Sequence, residues 1–196
     1  APGDFVLIDQ FIDRTYLREK SFFGKGCVAH VSLAHPTCNN FSEIILKIGK
    51  KLDIKIQLGG TYMTMEGPQF STLAESKLYK DNWKCDVIGM TNMPEAKLAK
   101  EAEICYTSLS MVTDFDCWHP DHESVEVSDI IETLTNNSSK AQRIIEALPD
   151  FLKSDKDLCS QGCNNALDNA IITAPEKRDQ KIMEELDILL KRLNKQ

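Results

Sequence analysis

Short apolar stretches alternate with helical patterns along the first part of the chain. Stretches rich in β-branched or alternating apolar residues predict strands at residues 5–8, 28–33, 54–58, 62–65, 87–90 and 104–112. Apolar residues at helical spacing predict helices over residues 40–52, 72–83 and 95–103. From residue 128 the pattern is helical to the end, including residues 166–172 and 182–193. Strands that alternate with helices predict an α/β fold, with helices packed against a sheet.

Two local signals mark helix starts within this pattern. Asn40 and Glu43 have the spacing of a capping box at the start of the first helix. Pro94 precedes the third helix, where a missing N–H costs nothing. No repeat, low-complexity tract or linker divides residues 1–196, so we expect a single domain.

Composition and charge narrow the class of protein. The 196 residues are 42% apolar and 27% charged, a composition typical of globular proteins. A chain of this length can fold without disulfides or metals. The net charge of −7 argues against binding to a nucleic-acid backbone. No apolar run approaches the roughly 20 residues that span a bilayer, and no signal peptide is evident. We therefore expect a cytoplasmic protein with neither a nucleic-acid nor a membrane partner.

The seven cysteines suggest thiols rather than a disulfide framework, because their number is odd and their spacing irregular. Cys159 and Cys163 could form a local bridge, half of a metal site or a packed pair, and no second cysteine pair is evident. Cys117, His119 and His122 are spaced like zinc ligands, but Pro120 and Asp121 among them are more typical of a solvated polar loop. The sequence therefore predicts no metal.

Two carboxylates follow the predicted strand that ends near residue 112. If strand geometry persists, Asp114 and Asp116 point to the same side, where like-charge coupling favours a proton on one of them. Such an acid can protonate a leaving group. The alternative, favoured by the pattern alone, is that both are turn residues that accept local N–H bonds.

Two strand-to-helix connections carry further candidates. Residues 66–71 contain a Gly-Pro turn that could present Phe70 and Ser71 to a planar or anionic ligand, although Phe70 could equally lie in the core. In residues 90–95, Thr91 could hold an oxyanion, or Thr91 or Asn92 could simply be a helix N-cap. His30, within an apolar stretch, is by default a core or interface histidine.

Taken together, four segments closely resemble the methylthioadenosine phosphorylase family, in the order in which that family shows them. They are residues 2–15, 66–71, 89–95 and 113–118, and the resemblance extends over about residues 2–175. The family belongs to the purine nucleoside phosphorylase superfamily, which cleaves nucleosides with phosphate to a free base and a pentose 1-phosphate. The resemblance implies a mixed sheet flanked by helices.

The resemblance also implies roles at the purine. Asp114 matches the acid that shares or donates a proton at N7, and Asp116 matches the carboxylate close to the 6-amino group. Phe70 matches the aromatic residue of the base pocket, while Ser71 stands where 6-oxopurine enzymes carry a glutamate. Adenine is therefore expected to be preferred over guanine or hypoxanthine.

Further roles concern the sugar, the phosphate and the neighbouring subunit. Met90 matches a residue against the ribose, and Thr91 matches a phosphate contact. Val127 matches a small apolar residue beside the 5′-methylthio group. His30 matches a histidine that reaches the site of a neighbouring subunit, which implies a homotrimer or a dimer of trimers.

The chain also departs from the family. A substantial segment that precedes residue 2 in the family, with most of its phosphate-binding groups, is missing, so we expect the C-terminal portion of a phosphorylase domain. The region of Cys159 and Cys163 resembles family tails in which paired cysteines form disulfides, but the spacing here is wider. The expected reaction converts 5′-methylthioadenosine to adenine and 5-methylthioribose 1-phosphate, with phosphate as co-substrate and no cofactor. The alternatives are a broader phosphorylase of adenosine and inosine, or a non-catalytic nucleoside-binding paralogue.

Overall fold

A computed structural model describes residues 1–120, 127–154 and 159–193. Six strands and six helices follow one another along these residues. The strands are β1 (Phe5–Ile8), β2 (Gln10–Asp13), β3 (Ile56–Leu58), β4 (Thr61–Thr64), β5 (Val87–Gly89) and β6 (Ser108–Met111). The helices are α1 (Asn39–Lys51), α2 (Leu73–Lys77), α3 (Glu95–Glu101), α4 (Val127–Ser154), α5 (Gln180–Glu185) and α6 (Asp187–Leu190). A π-helical turn (Leu78–Asn82) extends α2, and 3₁₀ turns occupy Cys163–Asn165 and Pro175–Lys177.

The strands form two three-stranded ladders that adjoin each other. One has the order β3-β1-β6, in which β6 is antiparallel to β1, and the other has the parallel order β2-β4-β5. Backbone bonds continue across the junction, from the N–H of Gly59 to the Leu7 carbonyl (2.9 Å) and from the N–H of Asp9 to the Gly60 carbonyl (3.2 Å). The predicted mixed α/β sheet with flanking helices is therefore confirmed.

Strand β1 lies at the centre of the core because both of its faces are covered. Phe5 and Leu7 pack with Ile48 of α1 and Ile144 of α4. The alternate residues Val6 and Ile8 point to the opposite face and pack with Tyr62. A strand buried on both faces reads as a continuous apolar run, which is the pattern at residues 5–8.

A separate apolar cluster joins the segment before α1 to the C-terminal helices. Phe23 and Cys27 contact Leu167, Leu186 and Leu190 there. That residues 1–196 form a single domain remains a prediction. None of the described helices combines the length and the apolar character needed to cross a membrane.

Several predictions about elements were wrong. Residues 28–33 form no strand but an extended segment with a single bridge, between Ala29 and Ile171. Residues 166–172 form no helix, because residues 166–170 form turns, with a left-handed backbone at Asn169 (φ 60°), and Ile171 forms the bridge to Ala29. The N-cap of α1 is Cys38, so Asn40 and Glu43 do not form the predicted capping box. Strand β2 was not predicted.

Candidate active site

A cleft of about 480 Å³ lies over the sheet between the ends of β5 and β6. Its walls come from the loops that follow β4, β5 and β6, together with α2 and its π-helical turn. Five of the eight residues proposed from the sequence line it: Phe70, Ser71, Met90, Asp114 and Asp116. Residues far apart in sequence therefore meet in one concave surface large enough for a small ligand.

Asp114 and Asp116 lie in the irregular segment after β6, which ends at Met111. The assumption that strand geometry persists to these residues was therefore wrong, although both still line the cleft. The Thr113 hydroxyl donates to Oδ1 of Asp114 at 2.6 Å. Asp116 accepts on both oxygens, from the Ser76 hydroxyl at 2.5 Å and from the backbone N–H of Cys117 at 2.8 Å. Asp116 therefore accepts a local backbone N–H, as expected of a turn residue, and also lines the cleft, as expected of a site residue.

The loop that carries Phe70 and Ser71 is fixed from behind by an ion pair. Glu66 accepts the N–H of Tyr16 at 2.6 Å and lies 3.6 Å from Nε of Arg18. The bond from Tyr16, opposed by burial and aided by Leu17 and Arg18, lowers the pKa of Glu66. Phe70 itself is 86% exposed, so the alternative that it is a core residue is wrong. The loop offers an uncovered aromatic ring at the rim of the cleft.

Two glycines allow the loop after β5 to approach its neighbours closely. Gly67 has a left-handed backbone (φ 72°), and a Cβ there would lie 2.7 Å from Sδ of Met90. A Cβ at Gly89 would lie 1.9 Å from the Tyr62 hydroxyl, which contacts Oγ1 of Thr91 at 3.2 Å. The N-cap of α3 is Pro94, so neither Thr91 nor Asn92 caps this helix. Thr91 is exposed beside the cleft but is not among the residues that line it.

Of the other two proposed residues, His30 lies outside the cleft. His30 is exposed on the extended segment after Cys27, and its backbone N–H donates to the Ala170 carbonyl at 2.8 Å. Val127 begins α4, but its side chain lies outside the described residues. Of the zinc-like triplet, His122 also lies outside them, while His119 stacks on Phe115 with ring centroids 4.1 Å apart.

Among the cleft residues that were not proposed from the sequence are four with polar or aromatic side chains that can act on a ligand: Ser76, Tyr79, Lys80 and Trp118. Lys80 brings its ammonium to 3.1 Å from the centroid of the Trp118 ring, which is cation–π geometry. Burial, followed by Glu75, raises the pKa of Tyr79. The signal that could have found three of them is their spacing, because Ser76, Tyr79 and Lys80 recur three and four apart on one face of a helical segment.

The fold and the cleft agree with comparisons against known proteins. Residues 1–149 match the family model described as the phosphorylase superfamily, and the chain belongs to that superfamily. Within it, the chain is 57% identical over 195 residues to the S-methyl-5′-thioadenosine phosphorylase of Cereibacter sphaeroides, covering 100% of the chain and 67% of that protein. The resemblance found in the sequence is therefore confirmed.

Solved structures show the same likeness. A methylthioadenosine phosphorylase from an antarctic soil metagenomic library superposes with a TM-score of 0.88 at 42% identity, over 96% of this chain and 66% of that one. A methylthioadenosine phosphorylase from Schistosoma mansoni in complex with adenine gives 0.74 at 30% identity, over 85% and 65%. The chain spans about two thirds of the length of the curated relatives it matches.

Proposed function

We propose that the protein cleaves 5′-methylthioadenosine with phosphate, giving adenine and 5-methylthioribose 1-phosphate. The observation that carries this proposal is the cleft that brings Asp114 and Asp116 together with Phe70 and Met90. Two carboxylates at one end can address a purine that carries a 6-amino group, and an apolar wall can receive the base and the sugar. The relatives named as S-methyl-5′-thioadenosine phosphorylases support the same substrate.

The chemistry follows from the charge that develops at the sugar. When the bond between C1′ and N9 breaks, its electron pair moves into the purine and the sugar becomes oxocarbenium-like. In this mechanism, Asp114 in its acid form donates a proton to N7, which neutralises the leaving base. Asp116 accepts from the 6-amino group, and its two donors, Ser76 and Cys117, hold its orientation. A phosphate oxygen then bonds to C1′.

The remaining contacts are assigned by the same proposal. Met90 lies against the ribose, Ser71 lies beside the base and Thr91 contacts phosphate. Val127 packs against the methylthio group, which gains by apolar burial rather than by hydrogen bonding. Phosphate is a co-substrate, and the reaction uses no cofactor because neither hydride transfer nor carbanion chemistry is involved.

We also propose that the protein assembles as a homotrimer, or as a dimer of trimers, in which His30 reaches the cleft of a neighbour. His30 is exposed and lies outside its own cleft. It is flanked by apolar surface, since Val28 is 36% exposed and Ile172, whose backbone N–H donates to the Val28 carbonyl, is 60% exposed. Sedimentation should give three or six copies, and His30→Ala should raise KM more than it lowers kcat. A monomer with full activity would refute this assembly.

None of the seven cysteines forms a disulfide, which favours a reducing, cytoplasmic location. Fluorescent fusions or cell fractionation should place the protein with cytoplasmic markers. Recovery with an exported or membrane fraction would contradict the proposal.

The reaction is tested by measuring free-base release from methylthioadenosine, adenosine and inosine, each with and without phosphate. The chain is assayed alone and together with a separately expressed segment of a relative, namely the part of that relative's sequence that residues 1–196 do not match. We expect phosphate-dependent release of adenine from methylthioadenosine and little release from inosine. Equal turnover of inosine would favour a broad nucleoside phosphorylase. No activity with the added piece, despite binding of adenine, would favour a non-catalytic nucleoside-binding protein.

A further inference from the structure

Four cysteines meet at one point away from the cleft. The Sγ atoms of Cys38, Cys105, Cys159 and Cys163 all lie within 4.8 Å of one another. Cys38 and Cys163 are 1% and 3% exposed, and the other two are partly buried. The sequence showed only the pair Cys159 and Cys163, and the fold supplies the second pair from two other segments.

Backbone and side-chain bonds hold these segments together independently of the thiols. The N–H of Cys38 donates to the carbonyl of Tyr106, the residue after Cys105, at 2.7 Å. The N–H of Asn39 donates to Oε1 of Gln161 at 2.6 Å, which fixes the loop between Cys159 and Cys163 against the start of α1. Gly162 takes a left-handed conformation (φ 69°) that turns this loop back, with its N–H on the Cys159 carbonyl at 3.2 Å. The surrounding chain therefore positions all four thiols.

The spacing fits a single tetrahedral metal ion. Zinc–sulfur bonds of about 2.3 Å place tetrahedral sulfur atoms about 3.8 Å apart. The Sγ atoms of Cys38 and Cys159 are 3.4 Å apart, and no pair of the four exceeds 4.8 Å, so each needs to move by about 1 Å or less. A four-iron cluster would hold its ligands further apart, because the cluster itself fills the space between them.

We propose that Cys38, Cys105, Cys159 and Cys163 form a structural zinc site of the four-thiolate type. On binding, each thiol gives up its proton to solvent and forms one sulfur–zinc bond, so that Zn²⁺ is bound by four thiolates without any redox step. Four protein ligands leave no open position for substrate, which is the coordination of a structural site rather than a catalytic one. The ion would join the start of α1, the segment before β6 and the loop after α4.

A zinc ion at this position would stabilise the segment that leads into β6. The segment that contains Cys105 leads directly into β6, and β6 leads to Asp114 and Asp116. A cross-link there fixes the start of this strand, while the residues of the cleft remain untouched because none of the four cysteines lines it. Metal removal is therefore expected to lower thermal stability first.

The test measures metal content in the 196-residue chain, purified in reducing buffer and dialysed against metal-free buffer. Mass spectrometry of the elements should find about one zinc per chain. Cys105→Ser and Cys159→Ser, which change the two partly exposed ligands, should lower the content to a small fraction. Cys85→Ser, a partly buried cysteine outside the cluster, should keep it.

A second measurement does not depend on whether a variant folds. Cobalt added to the reduced, metal-free chain should produce the sulfur-to-metal charge-transfer bands and visible bands of tetrahedral thiolate coordination, and zinc should abolish them. Less than half an equivalent of bound metal, the absence of these bands, or a visible iron–sulfur spectrum would overturn the proposal. So would a disulfide between any two of the four cysteines in freshly purified, alkylated protein.

Discussion

The hydrogen bond between Ser76 and Asp116 lends itself to a quantitative test. Ser76 is 1% exposed, so water cannot replace its hydroxyl once Ser76→Ala removes it. The bond is 2.5 Å long and its acceptor is a carboxylate, and a bond to a charged group contributes about 1.5–3 kcal/mol. The Cys117 N–H remains on the other oxygen, so Asp116 keeps one of its two donors.

A double-mutant cycle isolates this bond. Free energies of unfolding are measured by urea titration for the chain, Ser76→Ala, Asp116→Ala and the double variant. We expect a coupling energy of about 1.5–3 kcal/mol between the two sites. Ser42→Ala is the matched control because Ser42 is also buried and bonded through its hydroxyl, to Thr107 at 2.7 Å. It shares no partner with Asp116 and should combine additively with Asp116→Ala, to within about 0.5 kcal/mol.

The same bond should affect ligand binding if Asp116 receives the 6-amino group. Calorimetry should then show adenine binding weakened about tenfold in Ser76→Ala, which corresponds to about 1.4 kcal/mol. A Ser76–Asp116 coupling below about 0.5 kcal/mol would refute the reasoning, because it would mean that the buried bond does not fix the carboxylate.

Three further predictions concern catalysis, packing and pH. Asp114→Asn should cut the release of adenine from methylthioadenosine far more than it lowers the melting temperature, and unchanged turnover would refute its role as proton donor. Leu7 and Leu58 are partners across β1 and β3 but are 0% and 61% exposed. Leu7→Ala should therefore cost about 2–5 kcal/mol in urea unfolding, and Leu58→Ala less than about 0.5 kcal/mol. Burial raises the pKa of Asp13, but hydrogen bonds from Lys97, Thr15 and Lys20 outweigh it and leave that pKa well below its usual range. This carboxylate therefore stabilises the fold above its unfolded pKa of about 4, and the contribution is lost as the pH falls further. Asp13→Asn should lower the free energy of unfolding at neutral pH, and should make the loss of stability on acidification less steep than in the unmodified chain. Urea midpoints that are the same for the variant and the unmodified chain at every pH from neutral to acid would contradict this.

Elements with a strong local pattern were predictable from the sequence. The apolar run of β1 and the helical spacing of α1 depend on residues close together in the chain, and both elements formed as expected. Residues 28–33 have a comparable apolar pattern, but a strand also needs a partner along its length. Only Ala29 pairs, with Ile171, and the sequence pattern does not show which segment lies alongside.

In the candidate site, too, the residues within recognisable local segments were predictable, and those whose role depends on distant residues were not. Asp114, Phe70 and Met90 were found because each lies in a short segment with a recognisable sequence. Ser76 was missed because its role depends on Asp116, 40 positions away. The cysteine cluster was missed for the same reason, since Cys38 and Cys159 are 121 positions apart in the chain and meet only after folding.

Arg18 links two loops of the cleft that the sequence presents as separate motifs. Its Nη1 donates to the carbonyl of Met93 at 2.6 Å, and its Nη2 donates to the carbonyl of Glu66 at 3.0 Å. The loop that carries Phe70 and the loop that carries Met90 therefore share one anchor, and a shift of either changes the geometry of the other. A substitution of Arg18 is therefore expected to disturb the base-facing and the sugar-facing parts of the proposed site together, although Arg18 itself is not among the residues that line the cleft.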